Sequence, residues 1–247
     1  MRFRSILTLL LFFVFCINLM AQKKFFGVKA GINMPRLYYS NPALNKLPHD
    51  FKISPSISIF AEFPLLKGLS IAPEINYQQR GGATSYLYEN EYDVTYSVDA
   101  NYFSLRVPVS YYIPIKTYLL PYLYAGPDVG YAFNGKISLS QPGLGVGESN
   151  MDINNSNYNP FYLGVLLGAG IRHDFEFDNI VCIIKLDVAL NLGINDTFSR
   201  SENEETSNPT NVNAYNPQKG RHSRGMEIHL CLGFIRKDDK SACRSFR

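Results

Sequence analysis

The sequence is poor in cysteine and in charge, and it contains no tryptophan. Charged residues make up 18% of the 247 residues, the formal net charge is +3, and there are four cysteines. A charge this small does not indicate nucleic-acid binding, and no basic run interleaved with aromatic residues supports it, so we expect no nucleic-acid partner. Cys16 lies near the N-terminus, in a segment that export would remove. The other three cysteines, Cys182, Cys231 and Cys243, are odd in number and lack the spacing of a disulfide framework or a zinc site.

Long apolar runs and catalytic motifs are also missing beyond residue 21. No later stretch has 18 or more consecutive apolar residues, so we expect no second helical span. The pairs His222-Ser223 and His173-Asp174 are adjacent in sequence, and neighbouring residues on a strand point to opposite faces, which disfavours a catalytic dyad. The four histidines are scattered at His49, His173, His222 and His229. We therefore expect no enzyme, no metal site and no cofactor.

Residues 1–21 have the pattern of a cleaved secretory signal peptide. Arg2 and Arg4 precede an apolar core from Ile6 to Leu19, and Leu19-Met20-Ala21 is an acceptable cleavage site. A membrane-anchor helix is the alternative interpretation, and the short length of the apolar run argues against it. Cys16 lacks the preceding small residues of a lipoprotein site. The remaining residues 22–247 are expected to form one outer-membrane β-barrel domain.

The sequence does contain a repeated alternation of apolar and polar residues with a period of two. About eight such segments follow Phe25, and their connections alternate between a long polar stretch and a tight turn. The predicted strands begin and end near 25–33, 53–63, 69–78, 102–112, 120–133, 160–174, 180–191 and 226–234. This pattern predicts an all-β fold: a transmembrane antiparallel up-and-down β-barrel with short periplasmic turns and long extracellular loops.

The alternation divides each predicted strand into a lipid-facing set and a lumen-facing set. The lumen-facing positions that carry charge are Lys29, Glu62, Glu74, Arg106, Asp128, Arg172, Lys185, Asp187 and Glu227. An eight-stranded barrel is just wide enough for its interior side chains to fill it, and buried charges are costly unless they are paired. We therefore predict a closed lumen with a salt-bridged charge network; a narrow polar conduit is the alternative.

Prolines within the predicted strands conflict with this interpretation, because proline cannot donate to a strand ladder and a closed barrel has no free edge. They are Pro55, Pro73, Pro108, Pro121 and Pro127. We expect bulges or strand ends at these positions, where the predicted registers are open to a shift of one residue.

Aromatic residues near the strand ends predict two girdles at the membrane interfaces. The periplasmic set is Phe25, Phe63, Tyr118, Phe175, Phe177 and Phe234, and the outer set is Tyr77, Tyr102, Phe103, Phe133 and Phe161. The predicted long loops span residues 34–52, 80–100, 134–159 and 194–223. Tyrosines lie among acidic residues in the second loop, a composition that suits surface recognition.

Several segments resemble the PorT-like outer-membrane β-barrel proteins. They are FGVKAGIN at 26–33, LSIAPEINY at 69–77, YFSLRVPVSYY at 102–112, PYLYAGPDVGY at 121–131 and LGVLLGAGI at 163–171. The resemblance implies a barrel fold and accounts for the prolines at 73, 108, 121 and 127, which recur in such strands. The namesake of that family serves type IX secretion, whereas most relatives have no assigned role. The tail after Phe234 departs from barrels that stop at a terminal aromatic residue.

These observations predict a non-enzymatic protein of the outer membrane, embedded in lipid, with a structural or surface-interaction role. The first alternative is a small pore or an accessory component of a type IX-like secretion system, with envelope proteins as partners. A soluble, secreted ligand-binding β-barrel is the second alternative, and the charged inner set together with the aromatic girdles argues against it.

Overall fold

The computed structural model describes residues 24–39, 49–50, 52–88, 92–115, 118–141, 146–152, 158–195 and 221–236. The predicted signal peptide, Cys16 and Cys243 lie outside the described residues, as does most of the fourth predicted loop. Within the described part there is no helix long and apolar enough to cross a membrane.

The described residues form strands that are paired with antiparallel neighbours. They are β1 (Phe25–Tyr39), β2 (His49–Asp50), β3 (Ser54–Leu66), β4 (Leu69–Ile71), β5 (Glu74–Tyr88), β6 (Tyr92–Arg106), β7 (Val109–Tyr112), β8 (Leu120–Gln141), β9 (Val146–Asp152), β10 (Phe161–Glu176), β11 (Ile180–Gly193) and β12 (Arg221–Arg236). β4 and β5 follow one path, interrupted at residues 72–73, and β6 and β7 follow another, interrupted at 107–108.

Eight strand paths close into a ring, which confirms the predicted barrel. β1 pairs with β3, and the pairing continues through β5, β6, β8, β10, β11 and β12. β12 then returns to β1, with Phe26 opposite Phe234 and Tyr39 opposite Arg221. The ring is uneven, because β3 pairs directly with β5 over a short stretch from Ser56 to Phe60. Short connections join β3 to β4, β7 to β8 and β10 to β11, and they mark the periplasmic end.

Pro73 and Pro108 lie at the two strand interruptions, but the registers do not shift there. Phe60 opposite Glu74 and Phe63 opposite Ile71 belong to one continuous register on either side of Pro73. The expected strand end is therefore present at Pro73, and the shift of one residue that was left open does not occur. The ladder survives because a proline keeps its carbonyl acceptor: Ala61 N donates to Pro73 O at 3.1 Å, and Ala72 N donates to Pro108 O at 2.9 Å.

The other prolines also lie within a regular ladder. Pro55 and Pro121 are the second residues of β3 and β8, close to the expected strand ends. Pro127 lies inside β8, opposite Val165, and accepts a hydrogen bond from Val107 N at 3.2 Å. The register irregularities occur elsewhere, between residues 64 and 66, 101 and 102, and 139 and 141. The expectation of bulges or strand ends is therefore met by strand ends at Pro55, Pro73, Pro108 and Pro121, whereas Pro127 lies inside a continuous strand without a bulge.

Period-two burial runs along the strands, as the alternation predicts. In β3 the positions from Ser54 to Phe60 are buried and exposed in strict alternation. In β11 Leu186, Val188 and Leu190 are exposed, whereas Asp187 between the first two is buried. Each apolar stripe faces outward, towards the lipid, and each polar stripe faces the barrel interior, which is the arrangement of a membrane barrel.

Two aromatic residues assigned to the girdles instead lie inside the barrel. Phe25 and Tyr102 are buried, and each occupies a lumen-facing position of its strand. Phe26 and Phe103, their neighbours, are the outward-facing aromatic residues. The outer girdle is built from packed rings, with the ring centroids of Phe103 and Phe133 at 4.8 Å.

The second and third predicted loops are largely strand, which corrects the sequence prediction. β5 and β6 remain paired from Glu74 opposite Arg106 to Tyr88 opposite Tyr92, so residues 80–88 and 92–100 of the predicted loop are strand. Beyond the barrel, β6 also pairs with β8, β8 with β9, and β2 with β5. A strand in water needs no apolar outer face, so the period-two signal is lost there although the ladder continues.

A closed antiparallel ladder predicts a heat-modifiable protein. Purified protein folded in detergent should migrate faster on a gel when it is left unboiled, because the ring stays compact until heating breaks the ladder. Electrophoresis of paired boiled and unboiled samples measures this. A protein that is soluble without detergent and shows no difference in migration would contradict the membrane barrel.

Candidate functional site

The structure places the nine charged residues predicted for the lumen in buried, inward-facing positions. They are Lys29, Glu62, Glu74, Arg106, Asp128, Arg172, Lys185, Asp187 and Glu227. They arise from eight strands, so the barrel closure, and not local sequence, brings them together. We refer to these nine residues and Arg80, described below, as the lumen network.

Arg106 is the centre of the lumen network, and its side chain is 1% exposed. Its two terminal nitrogens donate to the carboxylate of Glu227 at 2.8 and 2.7 Å. Nε donates to Asp128 Oδ2 at 3.1 Å, and Nη2 also donates to Gln78 Oε1 at 2.9 Å. A bidentate arginine–carboxylate pair combines strength with a fixed geometry. Arg106, on β6, therefore ties the neighbouring strands β5 and β8 to the far side of the barrel at β12.

Lys29 connects the centre of the lumen network to β11. Its Nζ lies 2.7 Å from Glu74 Oε2 and 3.5 Å from Asp187 Oδ2. Cys231 donates from Sγ to Asp187 Oδ2 at 3.3 Å, and Cys182 lies on the opposite face of its strand, so both thiols are free. Thiols on opposite faces of the barrel wall cannot form a disulfide bridge with each other.

A second group of polar contacts lies nearer the periplasmic end. Lys185 contacts the Glu62 carboxylate and donates to Tyr112 OH at 2.8 Å. The Tyr112 hydroxyl in turn donates to Glu62 Oε1 at 2.6 Å, and Ser70 donates to the same oxygen at 2.8 Å. Each Glu62 oxygen therefore has a partner, which a buried carboxylate requires.

Arg172 differs from the rest of the lumen network because its carboxylate partner is not fully buried. It donates to Asp174 Oδ1 at 2.7 Å and Oδ2 at 3.0 Å, and the Asp174 side chain is 24% exposed. The Arg172 guanidinium also lies 5.2 Å from the ring centroid of Phe25. This pair marks the periplasmic boundary of the network.

Arg80 is a member of the network that the sequence prediction missed. It is buried, donates to Asp128 Oδ2 at 2.6 Å and stacks 3.5 Å from the ring centroid of Tyr162. The predicted strand ended at residue 78, and Arg80 was placed in a loop. Extending the even-numbered lumen positions 74, 76 and 78 by one step would have found it.

With Arg80 included, the buried charges of the described residues balance. The five cations are Lys29, Arg80, Arg106, Arg172 and Lys185, and the five anions are Glu62, Glu74, Asp128, Asp187 and Glu227. Unpaired charge in an interior of low dielectric constant is costly. Ten ions can therefore be buried here only if cations and anions are equal in number and lie in contact with one another.

An apolar and aromatic cluster lies at each end of the lumen network, and the periplasmic cluster overlaps the network, since Cys231 stands opposite Lys29 and Lys185. The periplasmic cluster contains Phe25, Phe60, Val181, Ile183, Cys231 and Ile235. The outer cluster contains Val98, Ala100, Tyr102, Ala132, Ile137, Tyr158 and Tyr162. In the outer cluster the hydroxyls of Tyr102 and Tyr158 are 2.7 Å apart, so a residue from the β9–β10 connection contributes to the cover.

A cavity lies between the two groups of polar contacts, with Lys29, Glu62, Tyr122, Lys185 and Asp187 among its lining residues. Its volume is about 10 Å³, which is room for about one water molecule. This volume is far too small for an organic ligand or cofactor. Among the described side chains there is also no group of three or more His, Cys, Asp and Glu residues arranged to hold a metal ion.

The sequence-adjacent histidine pairs do not converge. His222 is half-buried on the outward face of β12, whereas Ser223 is buried on the inward face. His173 Nδ1 lies 2.9 Å from the Tyr118 carbonyl oxygen, on the opposite side of the strand from Arg172. His229 is a lumen residue, with Nε2 3.0 Å from Ser56 Oγ.

Comparison with known families agrees with the antiparallel barrel fold. A family model described as "Outer membrane protein beta-barrel domain" matches residues 20–199. The chain belongs to this family. The protein is therefore a transmembrane barrel of the outer membrane, in contact with lipid. No match was found among curated proteins.

Solved structures of outer-membrane proteins are similar to the chain at low identity. Ail, the attachment invasion locus protein of Yersinia pestis, in complex with the heparin analogue sucrose octasulfate, is 9% identical with a TM-score of 0.37, and the match covers 86% of this chain and 99% of Ail. Neisserial surface protein A is 12% identical with a TM-score of 0.36, covering 85% and 96%. OprG from Pseudomonas aeruginosa is 6% identical with a TM-score of 0.40, covering 87% and 95%.

Proposed function

We propose that this protein is a non-enzymatic, non-conducting barrel that anchors and presents an extracellular β-sheet for surface interaction. The lumen network makes the barrel a rigid closed support, and the strands that project beyond it provide the contact surface. The observation that carries this proposal is the filled lumen: ten paired charges closed off by an apolar or aromatic cluster at each end.

The contacts of the lumen network support closure over conduction. A passing ion would have to separate contacts such as Arg106–Glu227 at 2.7 Å and Lys29–Glu74 at 2.7 Å, which hold strands on different sides of the barrel. Separating one buried pair costs several kcal/mol, because each partner is left without a counter-charge. The cavity of about 10 Å³ offers no continuous path of its own.

The extended sheet supports a role at the cell surface. β5 and β6 remain in register for ten residues beyond Gln78, which corresponds to about 33 Å of strand. This segment contains Tyr86, Tyr88, Tyr92 and Tyr96 in sequence, and tyrosine supplies large contact area at low entropic cost. β8 and β9 widen the sheet on the other side of β6.

Conductance measurements test the closed lumen. Wild-type protein in planar lipid bilayers should give no discrete openings, because the lumen network and both clusters fill the interior. The double variant Phe60→Ala/Tyr162→Ala removes one aromatic ring from the periplasmic cluster and one from the outer cluster. It should open more often than the wild type, and it serves as the positive control for the assay. Stable, frequent openings of the wild-type barrel, with its heat-modifiable band intact, would contradict the proposal.

Truncation of the extended hairpin tests the surface role. Replacing residues 84–96 by a two-residue Asn-Gly turn should leave the barrel folded, because Ala83 and Ser97 are paired and can be bridged. Loss of adhesion by cells that display the truncated protein would support presentation by this sheet. Unchanged adhesion to host cells and abiotic surfaces would contradict it.

The resemblance to PorT-like proteins supports a narrower alternative, in which the barrel is an accessory component of a type IX-like secretion system. The segments at 69–77 and 121–131 carry the resemblance, and they form lumen walls and periplasmic strand ends. A deletion mutant assayed for protein secretion and adhesion separates the two roles. Impaired secretion with normal adhesion favours the secretion role, and the reverse favours surface presentation.

A further inference from the structure

Aromatic side chains are grouped on one half of the outer rim of the barrel. In a single row across β5, β6, β8 and β10, Tyr77 stands opposite Phe103, Phe103 opposite Tyr131, and Tyr131 opposite Phe161. Phe133 lies beside this row on β8, and all five residues face outward. We call these five residues the aromatic platform. On the other half of the barrel, the last lipid-facing positions in the described part of the chain are aliphatic, namely Leu192, Met226, Met34 and Ile53, and Tyr38 lies further out on β1.

The periplasmic rim has a different distribution of aromatic residues. There the outward-facing rings are spread around the barrel: Phe26 on β1, Phe63 on β3, Tyr111 on β7, Phe175 on β10 and Phe234 on β12. Aromatic girdles anchor a barrel in the interface around its whole circumference, and the periplasmic set has that form. Anchoring alone therefore does not account for the one-sided aromatic platform.

A β-bulge shapes the aromatic platform. Between β6 and β8 the register shifts, so that Tyr102 stands opposite Ala132 and Asn101 opposite Asn134, and Phe133 is the extra residue. Consecutive residues of a regular strand point to opposite faces. Here Phe133 stacks on the outward-facing ring of Phe103 while Asn134 bonds to the outward-facing side chain of Asn101. The bulge thus places a ring and an amide side by side on the outer face, and bulges often re-aim side chains in this way next to functional sites.

A chain of polar groups borders the aromatic platform on its extracellular side. The Tyr77 hydroxyl donates to Asn101 Oδ1 at 3.2 Å, and Asn101 Nδ2 donates to Asn134 Oδ1 at 2.5 Å. An amide side chain has two donor hydrogens and an acceptor oxygen, so it can bond to hydroxyl groups in either sense. Asn134 is exposed, and its amide lies next to the exposed rings.

The charges beyond the two amides disfavour a phosphate ligand. Asp99, one outward position beyond Asn101, stands opposite Lys136 and also contacts Lys52. Both lysines therefore lie beside a carboxylate, which repels an approaching phosphate. A neutral sugar meets no such repulsion. The C–H groups on its face pack against the electron-rich faces of aromatic rings, and its hydroxyl groups pair with amides.

We propose that the aromatic platform binds a neutral sugar in the headgroup of a glycolipid of the outer leaflet. The sugar ring packs on Phe103 and Phe133, and its hydroxyl groups bond to Asn101 and Asn134. The wall beneath the platform is apolar and faces the lipid, with Leu105, Val129 and Leu163 next below the rings, so the acyl chains lie along it. The site depends on the barrel fold and its membrane location, and it is independent of the closed lumen and of adhesion by the extended hairpin.

Lipid retention by the full-length barrel tests this site. Purified protein in zwitterionic detergent is incubated with digalactosyl diacylglycerol or with phosphatidylethanolamine of the same acyl chains, and bound lipid is counted by native mass spectrometry. Wild-type protein should bind the glycolipid about tenfold more tightly, since only the sugar engages the rings and amides. Phe103→Leu/Phe133→Leu keeps the apolar contact but removes both rings, so it should bind the glycolipid about tenfold more weakly and phosphatidylethanolamine unchanged. Asn101→Ala/Asn134→Ala should lose glycolipid binding to a similar extent.

The matched control is Phe26→Leu/Phe234→Leu, the same change in an opposed pair at the periplasmic rim. It should bind both lipids as the wild type does, and all variants should keep the heat-modifiable band. Equal binding of the two lipids by the wild type would overturn sugar recognition. Equal losses of both lipids in the Phe103→Leu/Phe133→Leu variant would reduce the platform to an anchoring girdle and overturn the proposal. Full displacement by the free disaccharide at millimolar concentration would overturn a lipid as the source of the sugar.

Discussion

Replacing Arg106 with alanine is expected to lower the free energy of unfolding of the barrel by about 3–5 kcal/mol. The variant removes the bidentate contact with Glu227 and the bond to Asp128, and it leaves both carboxylates buried without this counter-charge. The loss is measured by urea unfolding in lipid vesicles. The folded fraction at each urea concentration is the fraction of protein that runs in the faster, unboiled band. Lys67→Ala is the matched control, since Lys67 is exposed in the β3–β4 turn and should change stability by less than about 1 kcal/mol.

A second variant separates lost charge pairing from lost packing. Arg106→Met/Glu227→Gln keeps most of the side-chain volume and removes both charges of the strongest pair. It should be more stable than Arg106→Ala, because no carboxylate at 227 remains uncompensated. Equal urea midpoints for Arg106→Ala and Lys67→Ala would show that Arg106 does not lie in a packed, paired interior.

The inward position of Arg106 could be predicted from the sequence because a strand has only two faces. Once one face is apolar and meets lipid, the register decides the position of every other side chain. Asp187 between Leu186 and Val188 illustrates this, since its neighbours require it to point inward. The same rule placed Phe25 and Tyr102 inside, but both were assigned to the girdles from residue type alone. Residue type was the weaker signal.

The partners within the lumen could not be predicted, because they depend on closure of the ring. Arg106 and Glu227 are separated by 121 residues, and Lys185 and Glu62 by 123. No local periodicity carries information about which charges meet across the barrel. Arg80 was missed for a different reason: beyond the lipid band the outward positions become polar, and the period-two signal ends before the strand does.

The strand ladders across proline were also beyond prediction. Proline has no backbone N–H donor but keeps its carbonyl acceptor. The sequence does not show whether the neighbouring strand faces the missing donor or the retained acceptor. Val107 donates to Pro127 and Ala72 donates to Pro108, so neighbouring strands use the retained acceptors. The register therefore continues without the bulges that the loss of a donor suggested.

Introducing arginine at Val188 should destabilise the barrel by about 2–4 kcal/mol, which is the cost of this charge at the bilayer midplane. Val188 is 45% exposed on the lipid face and pairs with Ile228, which places it near the middle of the apolar band. Urea unfolding in vesicles of one lipid composition measures the loss. Val188→Ala removes the same packing without adding charge, so the difference between the two variants isolates the electrostatic cost.

The matched position for this test is Ile180, the first residue of β11 and equally exposed at the periplasmic rim. Ile180→Arg should cost at most about 1 kcal/mol, because the side chain reaches water from the interface. Asp187→Asn, on the lumen face between the two exposed leucine and valine positions, should weaken the contact with Lys29 but place no charge in lipid. Equal losses of unfolding free energy for Val188→Arg and Ile180→Arg would show that position 188 does not face the lipid core. Because a register slip of one residue exchanges the two faces of a strand, that result would reverse the lipid-facing and lumen-facing sides of the whole of β11.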